Sequence, residues 1–124
     1  MKSRVFACVL TYQEIASAAA TVESVRDQVE EVVVICNACR SPETQQQASG
    51  FELITNTENK SFSECVNQAA ELAQSRGYTY LLFLTNDVTL ETGSVLRMSA
   101  ALDAQEVLAA VGPVHLRASN PEEI

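Results

Sequence analysis

Apolar residues in this chain fall into two rhythms that alternate along its length. Unbroken runs at residues 5–10 (Val-Phe-Ala-Cys-Val-Leu), 31–36 (Glu-Val-Val-Val-Ile-Cys), 51–54 (Phe-Glu-Leu-Ile) and 79–85 (Thr-Tyr-Leu-Leu-Phe-Leu-Thr) lack polar alternation. Strands buried on both faces of a parallel sheet read this way. Between the runs the spacing changes to that of a helix. Ile15, Ala18, Ala19, Val22, Val25 and Val29 share one face while Glu14, Glu23, Arg26 and Asp27 take the other, which predicts a helix over 13–28. The small residues at 16–20 suit close helix packing.

A second long helix is predicted through Phe62, Val66, Ala69, Ala70, Leu72 and Ala73, capped by Ser61 or Ser63 and stopped at Arg76-Gly77. Ser41-Pro42-Glu43 places a cap, a proline at the first helical position and an acid in the first turn of a short helix that Gly50 ends. Thr92-Gly93-Ser94 opens another through Val95, Leu96, Met98 and Leu102, before a last strand at 107–114 and a polar tail at 118–124. Strand and helix in alternation predict one α/β domain over 1–117. It should be Rossmann-like, with a mostly parallel sheet, right-handed βαβ crossovers and helices on both faces. The strand order expected is three-two-one-four, with 79–85 as the central strand. Thr11, Asn37 and Asp87 should then meet at the carboxyl edge, where open α/β sheets bind ligands.

Composition narrows the function classes. The 124 residues are 47% hydrophobic, enough for one core. Sixteen acidic against eight basic residues, a net charge of −8, argue against nucleic acid as a partner, because no Lys/Arg cluster exists to neutralise a phosphate backbone. The apolar run after Met1-Lys2-Ser3-Arg4 is too short for a transmembrane segment and lacks a cleavage pattern, so a cytoplasmic location is expected. Cys8, Cys36, Cys39 and Cys65 lie in or beside apolar segments and read as reduced, half-buried thiols.

Two stretches could carry chemistry. Thr85-Asn86-Asp87 delivers a hydroxyl, an amide and a carboxylate to a strand end, a set able to hold a hard cation and a sugar hydroxyl or, more simply, to make a turn. Cys36-Asn37-Ala38-Cys39 has the CxxC spacing of thiol redox motifs, in which a helix N-terminus lowers a thiol pKa. A structural zinc site would need a second such pair. His115, the single histidine, reads as a surface or boundary residue.

Five blocks taken in order, Val9-Leu10-Thr11-Tyr12-Gln13-Glu14, Val33-Val34-Ile35-Cys36-Asn37-Ala38-Cys39, Asn59-Lys60-Ser61-Phe62-Ser63-Glu64-Cys65-Val66-Asn67-Gln68-Ala69, Leu82-Phe83-Leu84-Thr85-Asn86-Asp87-Val88 and Val111-Gly112-Pro113-Val114, resemble the N-terminal half of family 2 glycosyltransferases of the GT-A fold. The resemblance implies a nucleotide sugar as partner. Thr11, Tyr12 and Glu14 would line the base pocket, with Asn37 after the second strand; Asn59 and Asn67 would support the pyrophosphate edge, and Asn86 would face the ribose. Asp87 would bind the metal, Mg²⁺ or Mn²⁺.

The chain departs from the family pattern at Cys36, where a nucleotide-facing acid is usual, at Ser61 in place of glycine, and at Thr85 in place of the first acid of a DxD-type triplet. The resemblance also implies a truncated GT-A-like half, with the acceptor-binding half and its catalytic base outside the sequence and no catalytic residue identified. The free edge of the strand expected at 107–114 would then invite a homodimer or the docking of that missing half. Two other readings stand beside this one: a non-catalytic nucleotide-binding or interaction module, and a CxxC thiol redox protein.

Overall fold

A computed structural model describes residues 4–48, 50–106 and 110–112, the side chains of residues 47 and 48 excepted. The chain divides into two compact units, Met1–Thr92 and Gly93–Ile124. The first holds four strands, β1 (Val5–Tyr12), β2 (Glu31–Asn37), β3 (Glu52–Thr55) and β4 (Tyr80–Thr85), and three α-helices, α1 (Ala19–Val25), α2 (Pro42–Ala48) and α3 (Phe62–Ser75). Within the second, α4 (Ser94–Ala104) begins after Gly93, whose left-handed backbone (φ 89°) a side chain would strain.

The sheet is parallel throughout, in the order β3-β2-β1-β4. This is the order expected. The expectation of 79–85 as the central strand is corrected: β1 pairs on both sides, whereas β4 ends the described sheet and buries only Leu84 of its six residues. An apolar run reports that a strand is covered, but its lateral neighbours are set by distant segments. The last strand expected at 107–114 falls largely outside the described residues, and residues 110–112 carry no regular structure. His115, the tail and the expected 117/118 boundary also lie outside them.

Alternate side chains of each strand feed two cores. Ala7, Val9, Val34, Cys36, Leu53 and Leu84 pack with Ile15, Ala18, Val22 and Val25 on one face. Phe6, Cys8, Val33 and Ile35 pack with Cys65, Ala69 and Ala73 of α3 on the other. Small residues at i, i+4 and i+8 let α3 lie close to the sheet, and Ser61 and Glu64 form a reciprocal capping box that starts it.

The helix predicted over 13–28 is shorter and broken: a 3₁₀ turn at Ala16–Ala18, α1, and a second 3₁₀ turn at Arg26–Gln28. Its buried face is the one the spacing predicts. Its start is delayed because Gln13 turns left-handed (φ 65°) to donate its N–H to the Asn37 carbonyl at 2.8 Å, extending the strand ladder past Tyr12. No side chain caps α1, leaving its first turn to 3₁₀ bonding.

At the amino edge, Arg76 pairs with Glu31 and, at 2.7 Å, with Glu52, while Tyr78 donates its hydroxyl to Glu31 at 2.7 Å and lies under the Arg4 guanidinium at 4.7 Å. This cluster ties α3 to β2 and β3. Replacing Arg76 with alanine should lower stability by about 1 kcal/mol in urea denaturation, and by less at high salt, because its partners are partly solvated. A loss that salt leaves unchanged would assign the effect to the arginine stem packed on Phe6 instead.

Candidate functional site

The four parallel strands end on a common edge, and the chain leaves it through two irregular connections: residues 38–41 after β2 and 56–61 after β3. Backbone hydrogen bonds join the two. Asn56 N–H donates to the Cys36 carbonyl (2.9 Å), Cys39 N–H to Asn56 (3.1 Å) and Ala38 N–H to Glu58 (3.2 Å). These bonds hold Ala38 in a left-handed conformation, φ 46°, that alanine would otherwise avoid.

Asn37 organises the junction. It is 4% exposed, and its amide is fully used: Nδ2 donates to the Lys60 carbonyl (2.8 Å) and to Asn59 Oδ1 (3.3 Å). Oδ1 accepts from Asn56 Nδ2 (2.9 Å) and from the Cys65 thiol (3.5 Å). Asn56, also buried, exchanges two further bonds with Gln68 of α3, each 3.0 Å. One buried side chain thus joins β2, the 56–61 connection and α3. A side-chain amide offers four hydrogen-bonding positions, so Asn37 has none left for a ligand.

A second network closes the other side. Asn86 donates both amide hydrogens, to Ser17 Oγ (2.8 Å) and Thr11 Oγ1 (3.2 Å), while Thr11 donates its hydroxyl to the Glu14 carbonyl (2.7 Å). Thr21 donates to the Asn86 carbonyl at 3.1 Å. The Asn86 Oδ1 atom is left as an acceptor. Next to it, Thr85 donates to Asp87 Oδ1 at 2.6 Å, and Asp87 is exposed.

Between the networks lies an open cleft of about 440 Å³, bounded by Leu10, Thr11 and Tyr12 on β1, Asn37, residues 59–62, and Thr85 and Asn86. Two aromatic rings stand at it, Tyr12 (54% exposed) and Phe62 (58% exposed), the latter edge-on to Phe83 at 5.3 Å. The sequence reading placed Phe62 in the apolar face of its helix; as the first residue of α3 it lines the cleft instead.

Of the residues expected at the site, Thr11, Tyr12, Asn37, Asn59 and Asn86 converge on this cleft. Glu14 and Asp87 lie on the same edge but outside its lining, and the Glu14 carboxylate pairs with Arg40 at 3.8 Å. Asn67 is exposed on α3, two residues from the sheet-facing Cys65 and so about 200° around the helix from it. Lys60, Ser17, Asn56 and Gln68 were missed. Nothing local marks them, although the Asn-Lys-Ser sequence before a predicted helix could have drawn attention to Lys60.

The donor set for a metal is small. Among the described residues no group of three or more His, Cys, Asp or Glu is placed to hold an ion. Asp87 offers one carboxylate, with Thr85 beside it. That fits a cation such as Mg²⁺ only as a shared ligand, completed by phosphate oxygens and water.

The CxxC thiols do not have the electrostatics of a redox pair. Burial, reinforced by the Cys39 side chain, pushes the Cys36 thiol from its ordinary 9.0 up to about 12. Cys8 is pushed to about 12 as well, by burial and then by Cys65. A helix N-terminus acting on Cys36 would have done the opposite.

The model of one protein family, glycosyl transferase family 2, matches residues 6–124. No individual curated protein and no solved structure matches the chain.

Two outcomes follow for the variants and thiols. Asn37→Ala should cost about 2–3 kcal/mol in denaturant unfolding, since it leaves four partners to find new bonds; a loss under about 1 kcal/mol would show the network to be dispensable. A thiol reagent at neutral pH should label Cys39 and spare Cys8, Cys36 and Cys65 until the chain unfolds. The raised pKa values make stability complete below pH 9.0 and progressively lost up to about 12, because there the unfolded thiols have released protons that the folded ones keep. Unfolding midpoints that stay level across that range would contradict the burial of these thiols.

Proposed function

The chain belongs to glycosyl transferase family 2, and from that membership we propose that its carboxyl-edge cleft binds the nucleoside diphosphate part of a sugar donor for glycosyl transfer. The observation that carries the reading is the convergence of Thr11, Tyr12, Asn59 and Asn86 on one open cleft at the ends of a parallel sheet. Ligands of open α/β sheets bind at this edge. The exposed Tyr12 and Phe62 rings offer apolar faces for a nucleobase. Asn86, both amide hydrogens committed, presents Oδ1 to a ribose hydroxyl. Asn59 gives Oδ1 to Asn37 and keeps its NH₂ for an acceptor on the donor.

Thr11 and Asn37 act in this reading through others: Thr11 orients Asn86, and Asn37 fixes the 59–60 backbone. Asp87 would hold Mg²⁺ or Mn²⁺ jointly with the diphosphate. When bound, the metal supplies positive charge that offsets the negative charge growing on the departing diphosphate. The four cysteines, none in a disulfide, support a cytoplasmic working place. No helix among the described residues is long and apolar enough to cross a membrane.

Calorimetric or NMR titration with a panel of nucleoside diphosphates tests the reading. The best should bind at a Kd of about 1 mM, or about 4 kcal/mol, given that Cys36 stands where an acid usually meets the nucleotide. Mg²⁺ should tighten it. Asp87→Ala should remove that enhancement and leave the fold intact, because the side chain is exposed. Binding that tightens equally with metal in the variant would place the cation elsewhere, and no binding by any nucleotide would end the proposal.

A further inference from the structure

Ten residues line the cleft, and Lys60 is the charged one among them. In a chain of net charge −8 with only eight basic residues, a cation at a ligand edge runs against composition. The side chain makes no ion pair among the described residues. Glu64, the nearby acid whose pKa it helps to lower, is turned to another task, accepting the Ser61 N–H at 3.2 Å in the capping box.

The backbone of Lys60, by contrast, is held at both ends. Its N–H donates to the Glu58 carbonyl (3.1 Å), and its own carbonyl accepts from the buried amide of Asn37 (2.8 Å). A long side chain free of intramolecular partners thus projects from a fixed backbone at the rim of the cleft. Asp87 is exposed and outside the lining, so the charge that borders the space directly is the ammonium, not a metal-binding carboxylate.

We propose that Lys60 binds the diphosphate of the donor directly, giving this site a metal-independent share of diphosphate recognition, and that Asn37 is the positioning residue that holds it there. The inference rests on the nucleotide-sugar reading and assigns the diphosphate subsite within it. An ammonium suits this role as a point charge with three donors, which can follow a flexible diphosphate without fixed geometry.

The test compares a nucleoside, its diphosphate and inorganic pyrophosphate as probes on the whole chain, in chelator and in Mg²⁺, for wild type, Lys60→Ala and Lys60→Arg. In chelator, Lys60→Ala should weaken diphosphate binding about tenfold and leave nucleoside binding unchanged, the size of one hydrogen bond to a charged group. Lys60→Arg should retain most of the affinity, and the salt dependence of diphosphate binding should flatten in the alanine variant. Pyrophosphate should bind wild type more tightly than the alanine variant.

Equal losses for nucleoside and diphosphate would reveal a structural role and overturn the assignment, as would an alanine variant that binds the diphosphate like wild type. Nucleoside binding with no gain from the diphosphate would remove this inference and leave the nucleotide reading standing. Failure of wild type to bind nucleoside or diphosphate would remove both.

Discussion

A single buried amide sets the geometry of the ligand edge. Asn37 ends β2, donates to residues 59 and 60, and accepts from Asn56 and Cys65. Burying such a group costs several kcal/mol unless its hydrogen-bonding capacity is met, and here it is met four times. Among the described residues every buried side-chain nitrogen or oxygen has a partner. A fully satisfied network rigidifies, whereas a partly satisfied one would be worse than an apolar core. The 56–61 connection, which would otherwise be a mobile polar loop, is thereby made part of the sheet's edge.

The two ends of the sheet are held by different chemistry. At the amino edge, Arg76, Glu31, Glu52, Tyr78 and Arg4 use charge and ring contacts. At the carboxyl edge, amides and hydroxyls do the positioning: Asn37, Asn56 and Gln68 on one side of the cleft, Asn86, Thr11 and Ser17 on the other. Neutral groups can orient a ligand-facing atom without adding a field of their own. The division leaves the cleft nearly free of built-in charge, which makes the one ammonium and the one neighbouring carboxylate matter more than their number suggests.

Cys36 illustrates how the cleft departs from what its position in the chain implied. Its side chain belongs to the apolar core beneath the site, packed with Val9 and Val34, rather than to the ligand face. Burial raises its thiol pKa instead of preparing it for reaction. The same atoms that give the CxxC spacing its redox look therefore act as packing. Neighbouring Asn37 points into the opposite environment because successive strand residues face opposite sides of the sheet.

Periodicity and chain order are local properties, and they determined what local properties can: the four strands, their parallel α/β arrangement, the buried faces of the helices, and the edge that gathers Thr11, Asn37, Asn59 and Asn86. Tertiary structure alone decided the rest. It made β1 rather than β4 the central strand, turned Phe62 from core to cleft, left Asn67 on the outer face of α3, and spent the amide of Asn37 on the protein itself. The physical reason is common to these cases. Which hydrogen-bonding positions of a side chain are already occupied, and which strand lies beside which, depend on segments far apart in sequence, as Asn37 and Lys60 or Thr11 and Asn86 are, and no window of neighbouring residues contains both partners.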